Sequence, residues 1–249
     1  MSGFRPDRGP TILTLIAVLA FCGLGVWQVR RHLWRTADLA AKSARIELPV
    51  VALADAVRDP DGNSFRRAEV RGRFELADTV LVGPVERGNE LGARVLTPLH
   101  IEGEPDTAPR VLVDRGWISQ AETPRFLPPA SPAPATEGDV VAVSGLALPL
   151  AIPKEGPGSR ERRHTHFPRF NPDRPGIVSK ISAQLPYALL PVMVQSAVPE
   201  AGGLPIGEPA RPASPVDHRG YAITWFAVAA LSLGAWIEYG RRRAREAPP

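Results

Sequence analysis

The 249-residue sequence contains one cysteine, Cys22. A disulfide framework within the chain is therefore excluded, and so is a metal site built from cysteines. Large exported domains fold without disulfides, so this scarcity assigns no compartment. Charge of one sign is also short: 30 Lys and Arg against 26 Asp and Glu leave +4. So small a surplus does not make a nucleic-acid binder, and the positions of the charges matter more than their sum. The motifs of nucleotide and acyl chemistry are missing. There is no P-loop and no dinucleotide-binding glycine pattern. The stretch GPGSR, residues 156–160, lacks the G-x-S-x-G elbow. The scattered Asp and Glu define no acid–base pair, and no constellation supports an enzyme.

What the chain does have is proline, 28 residues of it, mostly between Pro98 and Pro215. That distribution predicts a middle region of turns and irregular connections with few long helices. Two apolar runs bracket it. The first, TILTLIAVLAFCGLGVW, covers residues 11–27, and the second, YAITWFAVAALSLGAWIEY, covers residues 221–239. Each approaches the length that spans a bilayer. Trp27, Trp225, Trp236 and Tyr239 lie near their ends, where amphipathic rings favour the membrane interface. Either run alone could be a buried core helix. Two runs at the chain ends, each beside a basic cluster, read as membrane spans. Arg241, Arg242, Arg243 and Arg245 follow the second run, with only Arg219 shortly before it. Positive-inside bias then puts both termini in the cytoplasm. A cleaved signal is the alternative for the first run, but Phe21 precedes Cys22 where a lipoprotein site needs a small side chain.

The resulting layout is an α+β membrane protein. Residues 1–10 are a cytoplasmic N-terminus, 11–29 and 219–239 are transmembrane helices, and 240–249 are a basic cytoplasmic C-terminus. Residues 30–218 form a mainly-β extracytoplasmic domain with Pro-rich loops. Strands are expected near residues 68–74 and 79–82, in the pair ARVLTPLHIEG and RVLVDRGWIS joined by EPDTAP, and in GDVVAVSGLALPL. A short helix is expected over residues 46–58. Residues 127–138 read as a Pro/Ala linker and 199–215 as a tether.

Candidate chemistry is sparse. His164 and His166 could share a strand face as metal ligands, but RERRHTHFPR is strongly basic, and a solvated basic loop is the simpler reading. His32 and His100 are lone histidines and read the same way. In VDRGWI, Arg115, Gly116 and Trp117 suggest a tight bend with an arginine beside an aromatic face, either a partner surface or a core corner. If a helix begins near Asp217, then His218, Tyr221, Ala222, Trp225 and Ala229 share one face. An imidazole above small side chains and aromatics can serve a flat iron macrocycle. An interfacial histidine with an aromatic belt explains the same residues.

Several ordered stretches resemble the Surfeit-locus family of cytochrome c oxidase assembly proteins. Gly25, Trp27, Gln28, Arg31, Trp34 and Arg35 are similar to the family's G-x-W-Q-x-x-R-x-x-W-K, with Arg35 in the Lys position. Arg71 to Phe74, Gly83 and Pro84, and GARVLTPL follow in the family's order. VDRGWI resembles V-N-R-G-W, and DHRGYAITWF resembles N-H-x-x-Y-A-x-T-W-F, with Asp114 and Asp217 where the family has Asn. The resemblance implies a bacterial inner-membrane assembly factor, not an enzyme. It implies receipt of haem a from haem a synthase and delivery to oxidase subunit I. His218 would be the iron ligand, with Tyr221 and Trp225 beside the macrocycle and no other metal. Trp27, Gln28, Arg31, Arg115, Gly116 and Trp117 would serve partner contacts or structure. A cofactor-free scaffold holding the oxidase subunit or the synthase is the alternative.

Overall fold

The computed structural model describes residues 4–127, 139–151, 165–168, 172, 175–197, 203–207 and 218–246. The chain divides into two compact units: residues 1–41 with 213–249, and residues 42–212.

The first unit is a helix pair, formed by the first 34 residues of α1 (Arg8–Ile46) and by α5 (His218–Glu246). Both helices are long and apolar enough to cross a membrane. Helix α1 outruns the expected span of residues 11–29. Residues 30–46, expected within the β domain, continue the helix instead. The reason is composition: Arg, Leu, Ala and Lys favour helix, and no Gly or Pro interrupts until Pro49. Pro49 also corrects the helix expected over residues 46–58. It lacks an N–H and restricts the residue before it. Val51–Ala52 (β1) pairs instead with a strand, and helix α2 is only Leu53–Arg58.

The second unit is built on one eight-stranded sheet. Its other strands are β2 (Arg67–Phe74), β3 (Val80–Arg87), β4 (Glu90–Ile101), β5 (Arg110–Ser119), β6 (Val141–Pro149), β7 (His166–Phe167) and β8 (Leu189–Ser196). The order is β1-β2-β6-β8-β5-β4-β3-β7. An added pairing of Gly72–Phe74 with Leu99–Ile101 joins β2 to β4. Strands β2, β6, β8, β5 and β4 therefore close into a ring, which leaves those strands no free edge where they pair.

Closure sorts the core into two faces. Val70, Leu99, Val111, Val113, Val143 and Val194 form one cluster. Leu96, Leu112 and Met193 face the other way, toward Val178 and Ile181 of α4 (Pro175–Ser182) and toward Leu185. Strand β5 is buried on both faces from Arg110 to Ile118, so it reads as a continuous run rather than an alternation. Strand β2 alternates, with Ala68, Val70 and Gly72 inward. The expected strand at residues 79–82 extends through Arg87. Helix α4 and strands β7 and β8 were not expected from the sequence. The Pro/Ala stretch 128–138 lies outside the described residues, as do His164, Asp217 and all of the tether except residues 203–207.

Candidate functional site

The helix pair is held by a seam with a heptad period. On α1 the less exposed positions include Thr14, Val18, Phe21, Gly25, Gln28, His32 and Arg35. On α5 they include Ala222, Trp225, Ala229, Ser232, Trp236 and Tyr239. Alternating steps of three and four residues keep one stripe of each helix facing the other. The helices run antiparallel. Phe4 meets Trp236 edge-on at 4.9 Å, and Phe21 stacks on Trp225 at 5.7 Å with planes 15° apart. Gly25 is buried because a Cβ there would come within 2.7 Å of the Phe226 ring. At the opposite end, Tyr239 donates to Asp7 at 2.6 Å and Trp236 donates to Thr11 Oγ1 at 3.1 Å.

The residues expected to receive a macrocycle occupy this pair unequally. His218 is the first residue of α5, at the end of the seam. Tyr221 is 58% exposed and stands clear of α1. Ala222 and Ala229 are buried, and the Trp225 ring is engaged by Phe21. Among the motif residues of α1, Trp27 is exposed, Gln28 lies on the seam, and the Arg31 guanidinium sits 4.7 Å from the Trp34 ring. Beyond the far end of the apolar run, Arg242 donates to Glu238 at 2.9 Å, and this hydrogen bond raises its pKa above the ordinary arginine value.

Arg115, Gly116 and Trp117 belong to the second unit and form a core corner. Gly116 has φ 127°, and β5 slips register against β4 beside it, between Val95 and Leu96. That is the bulge a glycine permits. Asp114 shapes it by accepting from the Gly116 N–H at 3.1 Å while its other oxygen holds Arg94 at 2.6 Å. The expectation of an arginine beside an aromatic face is right in kind, but the ring is that of Phe74, 4.6 Å from Arg115. Trp117 donates instead to the Val85 carbonyl at 3.0 Å. Both Arg115 and Trp117 are buried, so of the two expectations for these side chains the structure favours the core corner.

A second buried polar group escaped the sequence reading. Tyr187 donates to Asp78 at 2.6 Å, and Arg110 lies over the Tyr187 ring while donating to Glu75. These groups satisfy one another, which is the signature of structure rather than of a waiting site. A cleft of ≈ 450 Å³ lies at the β3–β4–β7 edge, lined by Gly83, Pro84, Ala93, Gln120, Thr123 and His166. Among the described residues no three His, Cys, Asp or Glu side chains gather to hold a metal ion.

A sequence model of the SURF1 family matches residues 15–230, from within the first helix into the last. The chain belongs to the SURF1 family. Human Surfeit locus protein 1 is 27% identical over 246 residues, covering 91% of this chain and 76% of the human protein. A SURF1-like protein of Drosophila melanogaster is 27% identical over 248 residues, covering 90% of this chain and 75% of the fly protein. The cytochrome oxidase assembly protein SHY1 of Saccharomyces cerevisiae is 34% identical over 102 residues, 39% of this chain and 25% of the yeast protein. In this SURF1-family chain the match spans the closed sheet and reaches into both apolar helices.

Proposed function

We propose that this SURF1-family protein is a membrane-anchored maturation factor for cytochrome oxidase. In this reading it receives haem a from haem a synthase and passes it to oxidase subunit I. Helices α1 and α5 cross the membrane, both termini are cytoplasmic, and the closed sheet stands in the periplasm of a bacterial cell. The observation that carries the reading is the position of His218. It opens α5 at the end of a seam of small and aromatic side chains, one turn before an exposed Tyr221. The donor chemistry fits: an imidazole is a usual ligand for haem iron. Bound haem would supply the iron and macrocycle that the oxidase requires. The chain's own part is to hold the iron at one imidazole and to keep the ring beside apolar surface. The name of the yeast relative supports an oxidase assembly role.

The test is complementation. In a strain lacking this gene, the reduced membranes should lose most of the haem a band of the oxidase. The wild-type chain should restore it, and His218→Ala should not, although it accumulates in the membrane. An oxidase band unchanged by loss of the gene would refute the assembly role.

One observation favours a cofactor-free scaffold. The Trp225 ring, expected against a macrocycle, stacks on Phe21 instead. In that reading the protein holds the oxidase subunit or the synthase without binding haem. Co-purification with either partner that survives His218→Ala, with the oxidase still assembled, would select it.

A further inference from the structure

Six arginines gather where the start of α1 meets the end of α5: Arg5, Arg8, Arg241, Arg242, Arg243 and Arg245. The two chain ends are joined there by direct contacts. The Arg5 N–H donates to the Gly240 carbonyl at 3.2 Å, and Phe4 meets Trp236 edge-on. The Asp7 carboxylate holds Tyr239 and, at 3.0 Å, Arg243.

Three acids stand among the arginines, Asp7, Glu238 and Glu246. Asp7 is taken by Tyr239 and Arg243, and Glu238 is taken by Arg242. Arg5, Arg8, Arg241 and Arg245 are exposed, and among the described residues none of them forms an ion pair. The helices themselves account for only part of this charge. Arg245, in the last turn of α5, complements the dipole of that helix. Arg8 is the first residue of α1, where a cation opposes the dipole, and no acid sits in that turn to offset it. Like charges drawn together also repel, so the cluster calls for an anion from outside the chain.

The level of the cluster says which anion. Arg241 and Arg245 lie two and six residues beyond the apolar run that ends at Tyr239, or about 3 and 9 Å along the axis. Arg8 lies three residues before the run that starts at Thr11, or about 4 Å from it. The polar layer of a bilayer is about 5–8 Å deep outside each face of the hydrocarbon core. Trp236 and Tyr239 are the ring types that settle at its inner edge. The unpaired guanidiniums therefore stand at the depth of lipid phosphates, and a guanidinium makes paired hydrogen bonds to a phosphate.

We propose that the arginines at the joined ends of α1 and α5 bind the head groups of anionic phospholipids. The inference rests on the reading that both helices cross the membrane, and not on haem binding. A phosphate held by Arg5 or Arg8 on one side and by Arg241 or Arg245 on the other ties α1 to α5 outside the apolar seam. A zwitterionic head group carries a cation beside its phosphate, which the surplus positive charge repels. An anionic head group carries none.

The experiment uses the full-length chain purified in a neutral detergent. It is titrated with phosphatidylglycerol and phosphatidylcholine in equal amounts, and bound lipid is read by native mass spectrometry. The wild type should bind phosphatidylglycerol in preference. Arg5→Gln with Arg8→Gln, or Arg241→Gln with Arg245→Gln, should weaken that binding about fivefold for every arginine removed. Each double variant leaves the other chain end's arginines in place, so if one fails to accumulate the other must show the loss. Arg58→Gln with Arg67→Gln, exposed arginines of the closed-sheet unit, should change nothing. Excess inorganic phosphate should not displace the lipid, because the acyl chains hold it at the apolar run. Equal binding of the two lipids, displacement by inorganic phosphate, or unaltered binding in the double variants overturns the inference and leaves the membrane reading intact. A chain that stays soluble without detergent overturns both.

Discussion

Replacing Gly116 with alanine should destabilise the closed-sheet unit severely for so small a change. Two costs combine. A residue with a Cβ held at φ 127° carries about 1–3 kcal/mol of backbone strain. The new Cβ would also sit 2.3 Å from the Ile206 carbonyl oxygen and 2.8 Å from the Gly207 nitrogen. Those are backbone atoms, so the segment must move away. Moving it breaks the two hydrogen bonds between Trp117 and Ile206, at 2.9 and 2.8 Å. At about 0.5–1.5 kcal/mol each, their loss brings the total to about 2–6 kcal/mol. Gly88 is the internal control. Its φ is also positive, at 64°, but a Cβ there meets nothing within 4 Å. Gly88→Ala should cost only about 1–2 kcal/mol. Denaturant unfolding of the full chain reports the difference, because Trp117 is the only tryptophan outside the two long helices. If Gly116→Ala is no more destabilising than Gly88→Ala, the collision with Ile206 is not real.

Three further outcomes follow from the same structure. Tyr187→Phe removes the donor to buried Asp78, and weakening the support of that carboxylate should cost about 1–3 kcal/mol in the same unfolding measurement. Gly25→Leu should separate α1 from α5 at the Phe226 ring, read as lost crosslinking between cysteines placed at Phe21 and Trp225 of a Cys22→Ser chain, while a leucine at the open position Gly23 should not. A reporter active only in the cytoplasm should work when fused at Pro249 and fail when fused near Ser131; the reverse pattern would invert the proposed topology.

Much of the fold was legible because its signals are local. The two apolar runs, the alternation of β2 and the continuous burial of β5 are written in adjacent residues. So is the bend at Gly116, where an Arg-Gly-Trp triplet breaks an apolar run. Other elements were hidden by a local signal that the tertiary structure overrides. Strand β8 contains Pro191, which argues against a central strand. The sheet accommodates it where β5 and β8 slip register, between the Arg110–Leu189 and Leu112–Met193 pairs. Strand β7 has two residues and exists only because β3 is beside it. Arg115 read either as part of a partner surface or of a core corner, because its neighbours in sequence do not say what covers it. Its burial depends on Phe74 and Thr97, which are distant in sequence.

The candidate site divides in the same way. His218 stood out because of its neighbours in DHRGYAITWF. His32 read as a lone, solvated histidine, whereas the structure places it on the less exposed stripe of α1. Trp225 shows the opposite effect. Its ring shares a sequence face with His218, but the stripe that joins it to His218 also joins it to Phe21.

The central claim is that the chain itself binds haem a through His218. The direct measurement is the reduced absorption spectrum of the protein purified from cells that make haem a. The account predicts a haem a band in the wild type that is lost in His218→Ala at equal protein. A wild-type spectrum without haem, or equal haem in the two proteins, would contradict it.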